Sequence, residues 1–238
     1  MEVFILFLGS FIAALISGAA GFGGSLLLLP VVTACIGAEA AVPVLTISQI
    51  IGNIARMTSG WKQIDWKSVR LFSLTSLPLA ALGAFGFSVL PKDIVSRFIG
   101  LALMILVIIK LAGKKDLPKG NSTLLIGGAI TGGLSGLCGS GGPIGAAVFL
   151  SLDLAPVAYI ASEAATATAM HLLKIVIYSK LTNLSVRSLI LGLGMGICMI
   201  AGTYSAKHFI KNMEKGKFQT YVALMLCIVG IYMALFGE

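Results

Sequence analysis

Residues 17–24 read Ser-Gly-Ala-Ala-Gly-Phe-Gly-Gly, and residues 135–142 read Ser-Gly-Leu-Cys-Gly-Ser-Gly-Gly. Each stretch interrupts a long apolar run, and the two stretches start 118 positions apart. Glycine lowers the stability of a helix, so several glycines close together predict a break in the helix at both places. Two equivalent breaks in one chain indicate that the fold contains a duplicated unit.

Further matches follow in the same order along the chain. Lys67-Ser68-Val69-Arg70 aligns with Leu184-Ser185-Val186-Arg187 at a shift of 117. Leu90-Pro91-Lys92 then falls near Ile210-Lys211, and Ala102-Leu103-Met104 falls near Ala223-Leu224-Met225. We therefore predict two homologous repeats, at 1–113 and 122–238, joined by a charged linker at 114–121.

The composition is that of a membrane protein. Of the 238 residues, 58% are hydrophobic and 11% are charged, whereas soluble chains have about 45–50% apolar and about 25% charged residues. Only helices and closed barrels can span lipid, and the apolar runs have helical length without β-type alternation. The sequence thus predicts an all-α, polytopic membrane protein, with runs at about 3–34, 41–60, 69–90, 95–112, 122–150, 155–179, 186–207 and 218–236.

The net charge of +8 is explained by basic residues in the short connections, as expected for loops on the cytoplasmic side. No basic run with interleaved aromatic residues suggests nucleic-acid binding.

The four cysteines lie in apolar surroundings and are expected to be core residues. No metal or cofactor motif occurs, so we expect none to be bound. The N-terminus lacks the positive flank of a signal peptide, so the first segment is expected to be retained. Trp61, Trp66 and Tyr178 are predicted to be interfacial anchors.

The glycine breaks predict a specific kind of site. The half-helices that follow them should begin at about Gly24–Ser25 and at about Gly142–Pro143, and proline suits the first turn of a helix. The free N–H groups and positive dipole of such a helix start favour an anion. The predicted backbone ligands are Gly23, Gly24, Ser25, Ser140, Gly141 and Gly142. The alternative is that these glycines serve only to let helices pack closely.

A polar stripe runs along one helix face in each repeat. The first stripe is Thr46, Gln49, Asn53 and Arg56, and the second is Glu163, Thr166, His171 and Lys174. Polar side chains within apolar segments usually face the bundle interior and mark a site or pathway. We predict that Arg56 contacts the anion through two N–H groups, that Lys174 acts as a point charge, and that Gln49, Asn53, Thr166 and His171 complete the substrate site.

Other interpretations of these side chains stay open. Arg56 and Lys174 lie toward the ends of their segments and could instead extend to the membrane interface. His171 could be an interior histidine with satisfied hydrogen bonds. Glu163 could lie at the surface, could pair with Lys174 or His171, or could relay a proton together with His171.

The glycine motifs, from Ile16 to Gly24 and again from Leu134 to Pro143, resemble those of the sulfite exporter TauE/SafE family. The tract from Arg56 to Trp66 is similar to the loop that follows the family's second segment. The resemblance spans nearly the whole chain. It implies a permease of the bacterial inner membrane for sulfite, thiosulfate or organosulfonates such as sulfoacetate. The second repeat has no direct counterpart of Asn53 or Arg56, so the repeats are expected to contribute different side chains to one site.

Two layouts are compatible with the runs. If every run crosses the membrane, the two repeats are parallel. If the two glycine runs are hairpins that enter and leave on one side, each repeat crosses three times and the repeats are inverted. Both layouts satisfy the positive-inside rule. We favour the inverted layout because broken helices are typical of transporters with inverted repeats.

The predicted function is secondary transport of small sulfur-containing anions by alternating access, with the site at the repeat interface and no enzymatic activity. The expected partners are the anion, the lipid bilayer and a second copy of the chain. A passive anion channel is the alternative within transport. An intramembrane serine protease using Ser140 and His171 is a further alternative, although Cys138 stands where the usual Gly-x-Ser-Gly pattern has glycine.

Overall fold

The computed structural model describes residues 2–21, 24–89, 118–139, 141–181 and 185–210, together with 213, 214, 217, 220, 221 and 224. Over these ranges the chain is α-helical apart from short connections, as predicted, and it contains no strand. The helices are α1 Glu2–Ala20, α2 Ser25–Ile36, α3 Ala38–Ser59, α4 Trp66–Val89, α5 Asn121–Cys138, α6 Gly142–Leu150, α7 Pro156–Leu181 and α8 Val186–Ile210, with a 3₁₀ turn at Trp61–Gln63 between α3 and α4.

Four of the predicted apolar runs agree with a single helix each. The runs at 41–60, 69–90, 155–179 and 186–207 match α3, α4, α7 and α8 to within three residues. The run at 95–112, the first half of the 114–121 linker and nearly all of the run at 218–236 lie outside the described residues. The boundaries between the repeats therefore stay predictions.

Both glycine runs are broken, and they break where the sequence predicted. Gly21 has a φ of +78° and Gly139 a φ of +72°, conformations that end helices and that glycine adopts without strain. The next helices begin at Ser25 and Gly142, and a proline occupies the first turn of α6. The predicted start positions of both half-helices are confirmed.

Each broken run folds back on itself as a hairpin. Positions late in the second half-helix lie against positions early in the first, so the two half-helices run in opposite directions. We call α1 with α2 the first hairpin and α5 with α6 the second hairpin. The contacts that define this geometry are Gly24 with Ala13 and Leu28 with Gly9 in the first hairpin, and Gly145 with Thr131 and Val148 with Gly127 in the second.

Each hairpin packs against a helix of the other predicted repeat. Helix α1 packs along α8, and α5 packs along α4. Each hairpin therefore contacts the last long helix that the structure describes in the other predicted repeat. Small residues allow this approach, as is typical of membrane helices. Gly18 faces Thr203 and Ala206, and Gly132 lies directly against the backbone of Ser76. Close packing thus explains these glycines, while the glycines at the breaks have a conformational role.

The surface is apolar and much of the interior is polar. Four helical spans in the described ranges are long and apolar enough to cross a membrane: Ala40–Ser59, Trp66–Phe87, Pro156–Lys180 and Val186–His208. Outward-facing side chains such as Leu74, Leu82 and Ile197 are about two-thirds exposed (68%, 66% and 66%), as suits contact with lipid tails. Most polar side chains of α3 and α7 are buried instead.

Two of the three predicted interfacial anchors have the expected exposure. Trp61 and Trp66 are exposed and touch edge to face, with ring centroids 5.3 Å apart. Tyr178 is fully buried, and its hydroxyl donates a hydrogen bond of 2.8 Å to the carbonyl oxygen of Gly136. The prediction for Tyr178 was wrong because a bundle interior with free carbonyl groups also satisfies a phenol.

Candidate functional site

The first polar stripe lies entirely inside the protein. Thr46, Gln49, Asn53 and Arg56 are each no more than 2% exposed. Burial to this degree shows that Arg56 does not extend to the membrane interface. One end of its guanidinium donates to Asn53 Oδ1, and Nη1 lies 3.1 Å from Glu163 Oε2 on α7.

Glu163 therefore pairs with a residue of the other repeat. Its partner is Arg56, rather than the Lys174 or His171 of its own helix, and both side chains are 3% exposed. The Nη1 and Oε2 atoms are close enough for an ion pair, yet neither makes a well-directed hydrogen bond within the described residues. The two long helices α3 and α7 are thus joined by a buried ion pair in which the N–H groups of Nη1 do not point directly at Oε2.

Lys174 is also fully buried, and its hydrogen bonds reach the end of α5. Its Nζ donates to the carbonyl oxygen and to the hydroxyl of Ser135, both at 2.9 Å, and to the carbonyl oxygen of Gly139 at 3.5 Å. These carbonyl groups belong to the last turn of α5, where a cation is favoured by the helix dipole. Lys174 thus caps the first half of the second hairpin.

A small cavity lies where the two hairpins meet. Ser25 from the start of α2 and Gly141 and Gly142 from the start of α6 line it together with the polar face of α7. The residues that cap these helix starts are Gly24 and Gly141, which have no side chain to bond the free N–H groups. The full lining is Ser25, Phe72, Thr131, Ser135, Gly141, Gly142, Gly145, Glu163, Thr166, Ala167, Met170 and His171.

Several buried polar atoms in and beside this cavity have no hydrogen-bond partner among the described residues. They are His171 Nδ1, Thr131 Oγ1, both polar atoms of the Gln49 amide and Asn53 Nδ2. A buried polar group that stays unpaired costs about 1–3 kcal/mol. Such groups are rare in native proteins, and several together indicate a place for a polar ligand or water.

The predicted site residues divide into three groups. Ser25, Gly141, Gly142, Glu163, Thr166 and His171 line the cavity. Gln49, Asn53, Arg56, Lys174 and Gly24 are buried nearby but are not part of its lining. Gly23 and Ser140 lie outside the described residues, and with Ser140 so does the proposed protease nucleophile.

Six lining residues were missed at the sequence level: Phe72, Thr131, Ser135, Gly145, Ala167 and Met170. Ser135 could have been found, because it aligns with Ser17 in the repeated glycine motif and both serines are buried. Thr131, Phe72 and Met170 carry no such signal, since an isolated threonine or apolar residue in an apolar helix is usually a packing residue. Their place in the site depends on how α4 and α5 meet α7.

The arrangement suits a small anion that accepts hydrogen bonds from several directions. The charges of Arg56 and Glu163 offset each other, and Lys174 is held by carbonyl groups. The donors that remain are neutral side chains and helix starts, which bind anions through N–H groups and their dipoles.

The chain matches a known protein family over nearly its whole length. The family model described as "Sulfite exporter TauE/SafE" matches residues 6–233. The chain belongs to the sulfite exporter TauE/SafE family. No curated protein and no solved structure gives a significant match.

Family membership agrees with the helices described above. A TauE/SafE protein is a membrane permease, and this chain carries four helical spans of sufficient length and hydropathy among its described residues. It is therefore a multi-pass protein of the plasma membrane.

Proposed function

We propose that this TauE/SafE protein is a secondary carrier for small sulfur-containing anions, such as sulfite, thiosulfate or organosulfonates including sulfoacetate. The observation that carries the proposal is the cavity in which the starts of α2 and α6, from different repeats, meet the polar face of α7. A site built from both halves of a duplicated chain is what a rocking carrier requires.

The proposed mechanism needs repeats that are inverted, and helix directions support this. Contacts of Phe7 with Gly194 and of Gly18 with Ala206 make α1 parallel to α8. The hydrogen bond from the Asp65 amide, just before α4, to Ser162 Oγ and the ring contact of Phe87 with Tyr178 make α4 parallel to α7. Since α3 and α4 are joined by a short turn, α3 runs against α7, its counterpart in the second repeat. Corresponding helices with opposite directions are the mark of inverted repeats.

Recognition of the anion rests mainly on neutral donors. The hydroxyl of Ser135 accepts a hydrogen bond from Lys174, so its own proton is free to point into the cavity. The charge of Lys174 then reaches the anion through Ser135 rather than by direct contact. His171, Thr131 and the backbone N–H of Gly142 at the start of α6 supply donors from other directions, matching the several oxygens of a sulfonate or sulfite.

Arg56 is the charged group that an anion can recruit. It sits beside the cavity, held by Asn53 and Glu163, and a guanidinium can contact two anion oxygens at once. Asn53 and Gln49 lie one and two turns before it on α3, respectively, and bring unpaired amide atoms to the same region. Because Arg56 must give up contacts with Glu163 to bind the anion, the anion binds with moderate strength. Moderate binding suits a carrier, which must also release its substrate.

The proposal is tested in two steps. Purified protein is first screened for stabilisation against heat by sulfite, thiosulfate, sulfate, sulfoacetate and taurine. Proteoliposomes then measure uptake of the anion that stabilises best. A carrier saturates and is accelerated by the same anion on the far side, whereas a channel passes current without counter-exchange. Absence of binding and of flux for every anion would overturn the proposal, and cleavage of a bait peptide would favour the protease instead.

A further inference from the structure

We propose that Glu163 is the proton-binding group that couples each anion to one proton, so that the protein moves a monovalent sulfonate and a proton together without net charge transfer. The inference rests on the proposed function and adds the co-transported ion. It starts from the buried ion pair between Arg56 Nη1 and Glu163 Oε2, 3.1 Å apart, at the edge of the cavity.

A carboxylate in the wall of an anion site needs an explanation. Glu163 lines the cavity directly, and Gly145 at the start of α6 lies close to its Oε1. An anion placed there would be repelled by the carboxylate through a medium that screens charge poorly. Neutralising Glu163 with a proton removes this repulsion.

Arg56 is the only cation that the described residues place in contact with this carboxylate. The other ionisable groups nearby are Tyr159, His171 and Lys174 on α7 itself, and Asp65, whose backbone amide donates to Ser162 Oγ. Lys174 is committed to Ser135 and Gly139. From α4, α5 and α6 the cavity receives only Phe72, Thr131, Ser135 and glycines, none of which carries charge.

The buried charge then stays constant through the cycle. In the empty state the Arg56 cation and the Glu163 carboxylate cancel. When an anion binds, the guanidinium turns toward it, and Glu163, left without a cation in a poorly screening interior, takes up one proton from the open aqueous side. The loaded site holds one cation, one anion and one neutral carboxylic acid. Both the anion and the proton leave on the opposite side, and the ion pair re-forms.

The asymmetry of the repeats supports this role for Arg56. In the second repeat the cation on the polar stripe, Lys174, caps the last turn of α5. The first repeat has Arg56 one position from the equivalent place, yet its contacts are Asn53 and Glu163. Lys174 therefore stabilises the second hairpin. Arg56 instead links α3 to α7 through an ion pair that an anion can replace.

The test uses methanesulfonate, which remains ionised and cannot carry the proton itself. Proteoliposomes with an alkaline interior should accumulate it about tenfold per pH unit of gradient if one proton accompanies each anion. An internal pH dye should report acidification in step, and a potassium diffusion potential should leave the flux unchanged. Wild-type protein that exchanges methanesulfonate but neither accumulates it nor moves protons would overturn the coupling and leave the proposed carrier intact. Absence of exchange for every anion would instead overturn the proposed function.

The variant Glu163→Gln tests the assignment to this residue. A neutral amide of the same shape resembles the loaded site, so methanesulfonate should bind more tightly and its affinity should no longer change with pH, whereas wild-type affinity should weaken about tenfold per pH unit as pH rises. Accumulation in the pH gradient should be lost. Asp153→Asn, the same change at an exposed connection, should behave as wild type. A Glu163→Gln protein that still accumulates methanesulfonate, or that no longer binds it, would overturn the assignment.

Discussion

At the scale of single residues, burial of charge governs the site. Arg56, Glu163 and Lys174 are all within 3% of complete burial, and each charge is offset by something nearby. For Arg56 and Glu163 the offset is mutual, and for Lys174 it is the carbonyl end of α5. Removing one partner of a buried pair leaves the other charge exposed to an interior that cannot solvate it.

Arg56→Ala is expected to lose anion binding and to destabilise the protein by about 3–5 kcal/mol, the usual cost of leaving one member of a buried ion pair alone. Lys62→Ala changes an exposed loop residue and should affect neither property. The double variant Arg56→Ala/Glu163→Gln should recover much of the stability without recovering binding. Thermal unfolding in detergent and a binding titration measure both properties, and equal effects of Arg56→Ala and Lys62→Ala would refute the role of Arg56.

Lys174→Met should destabilise the second hairpin, because the carbonyl groups of Ser135 and Gly139 lose their donor at a cost of about 1–3 kcal/mol per buried group. Lys180→Met, six residues further along the same helix and exposed, should change stability by less than about 0.5 kcal/mol. Hydrogen exchange of α5 and α6 would locate the effect. Faster exchange throughout the chain, rather than in this hairpin, would contradict a local capping role.

At the scale of secondary-structure elements, the breaks are what the sequence predicts best. Left-handed backbone favours glycine, so the stretches that contain Gly21 and Gly139 are visible in the sequence as places where a helix breaks. The partner of Glu163 is not visible in this way. Helical periodicity gives the face on which Glu163, Thr166 and His171 lie, but it says nothing about which helix covers that face. Arg56 is 107 positions away, and only the packing of α3 on α7 brings the two together.

Gly21→Ala should destabilise the first hairpin more than Gly139→Ala destabilises the second. Both positions have left-handed backbone, which costs a residue with a Cβ about 1–2 kcal/mol. At Gly21 the new methyl group would also overlap the buried ring of Tyr159, whereas at Gly139 it would lie 3.1 Å from Val42, a tight but nearly tolerable approach. Overpacking adds about 1–3 kcal/mol.

A double-mutant cycle separates the two costs at Gly21. At the shift of 117, position 159 is equivalent to position 42, so Tyr159→Val gives Gly21 the same kind of neighbour that Gly139 has. In this background, Gly21→Ala should cost only the strain of its left-handed backbone. Thermal unfolding of the four proteins gives the coupling. An unchanged cost in the Tyr159→Val background would show that the ring of Tyr159 does not dictate glycine at this position.

At the scale of the whole molecule, most features that the sequence predicts follow from the predicted duplication. Most features that it does not predict are differences between the two halves. The repeat predicts two hairpins and two polar stripes. It also suggests equivalent roles for Arg56 and Lys174, and their contacts differ. Sequence drift between repeats allows one copy to keep a capping cation while the other pairs across the interface, and only side-chain contacts distinguish these outcomes.

The layout of the repeats makes a prediction about sidedness. Gly60 lies against Val157 and Lys207 donates to the carbonyl oxygen of Ser59, so the α3–α4 turn, the start of α7 and the end of α8 share one side of the membrane. The connection before α8, at Ser185, then lies on the opposite side. The parallel layout would place the connections near 61–70 and 179–187 on the same side.

Single cysteines at Lys62 and Ser185, both exposed, distinguish the layouts once the four native cysteines are replaced. A membrane-impermeant maleimide added to intact cells should label Ser185→Cys and leave Lys62→Cys unlabelled until the membrane is opened. The positive-inside rule predicts that the α3–α4 turn, which carries Lys62, Lys67 and Arg70, lies on the cytoplasmic side. Labelling of both cysteines from one side would remove the inverted relation on which alternating access depends, because two parallel halves cannot present the same cavity to opposite sides by exchanging conformations.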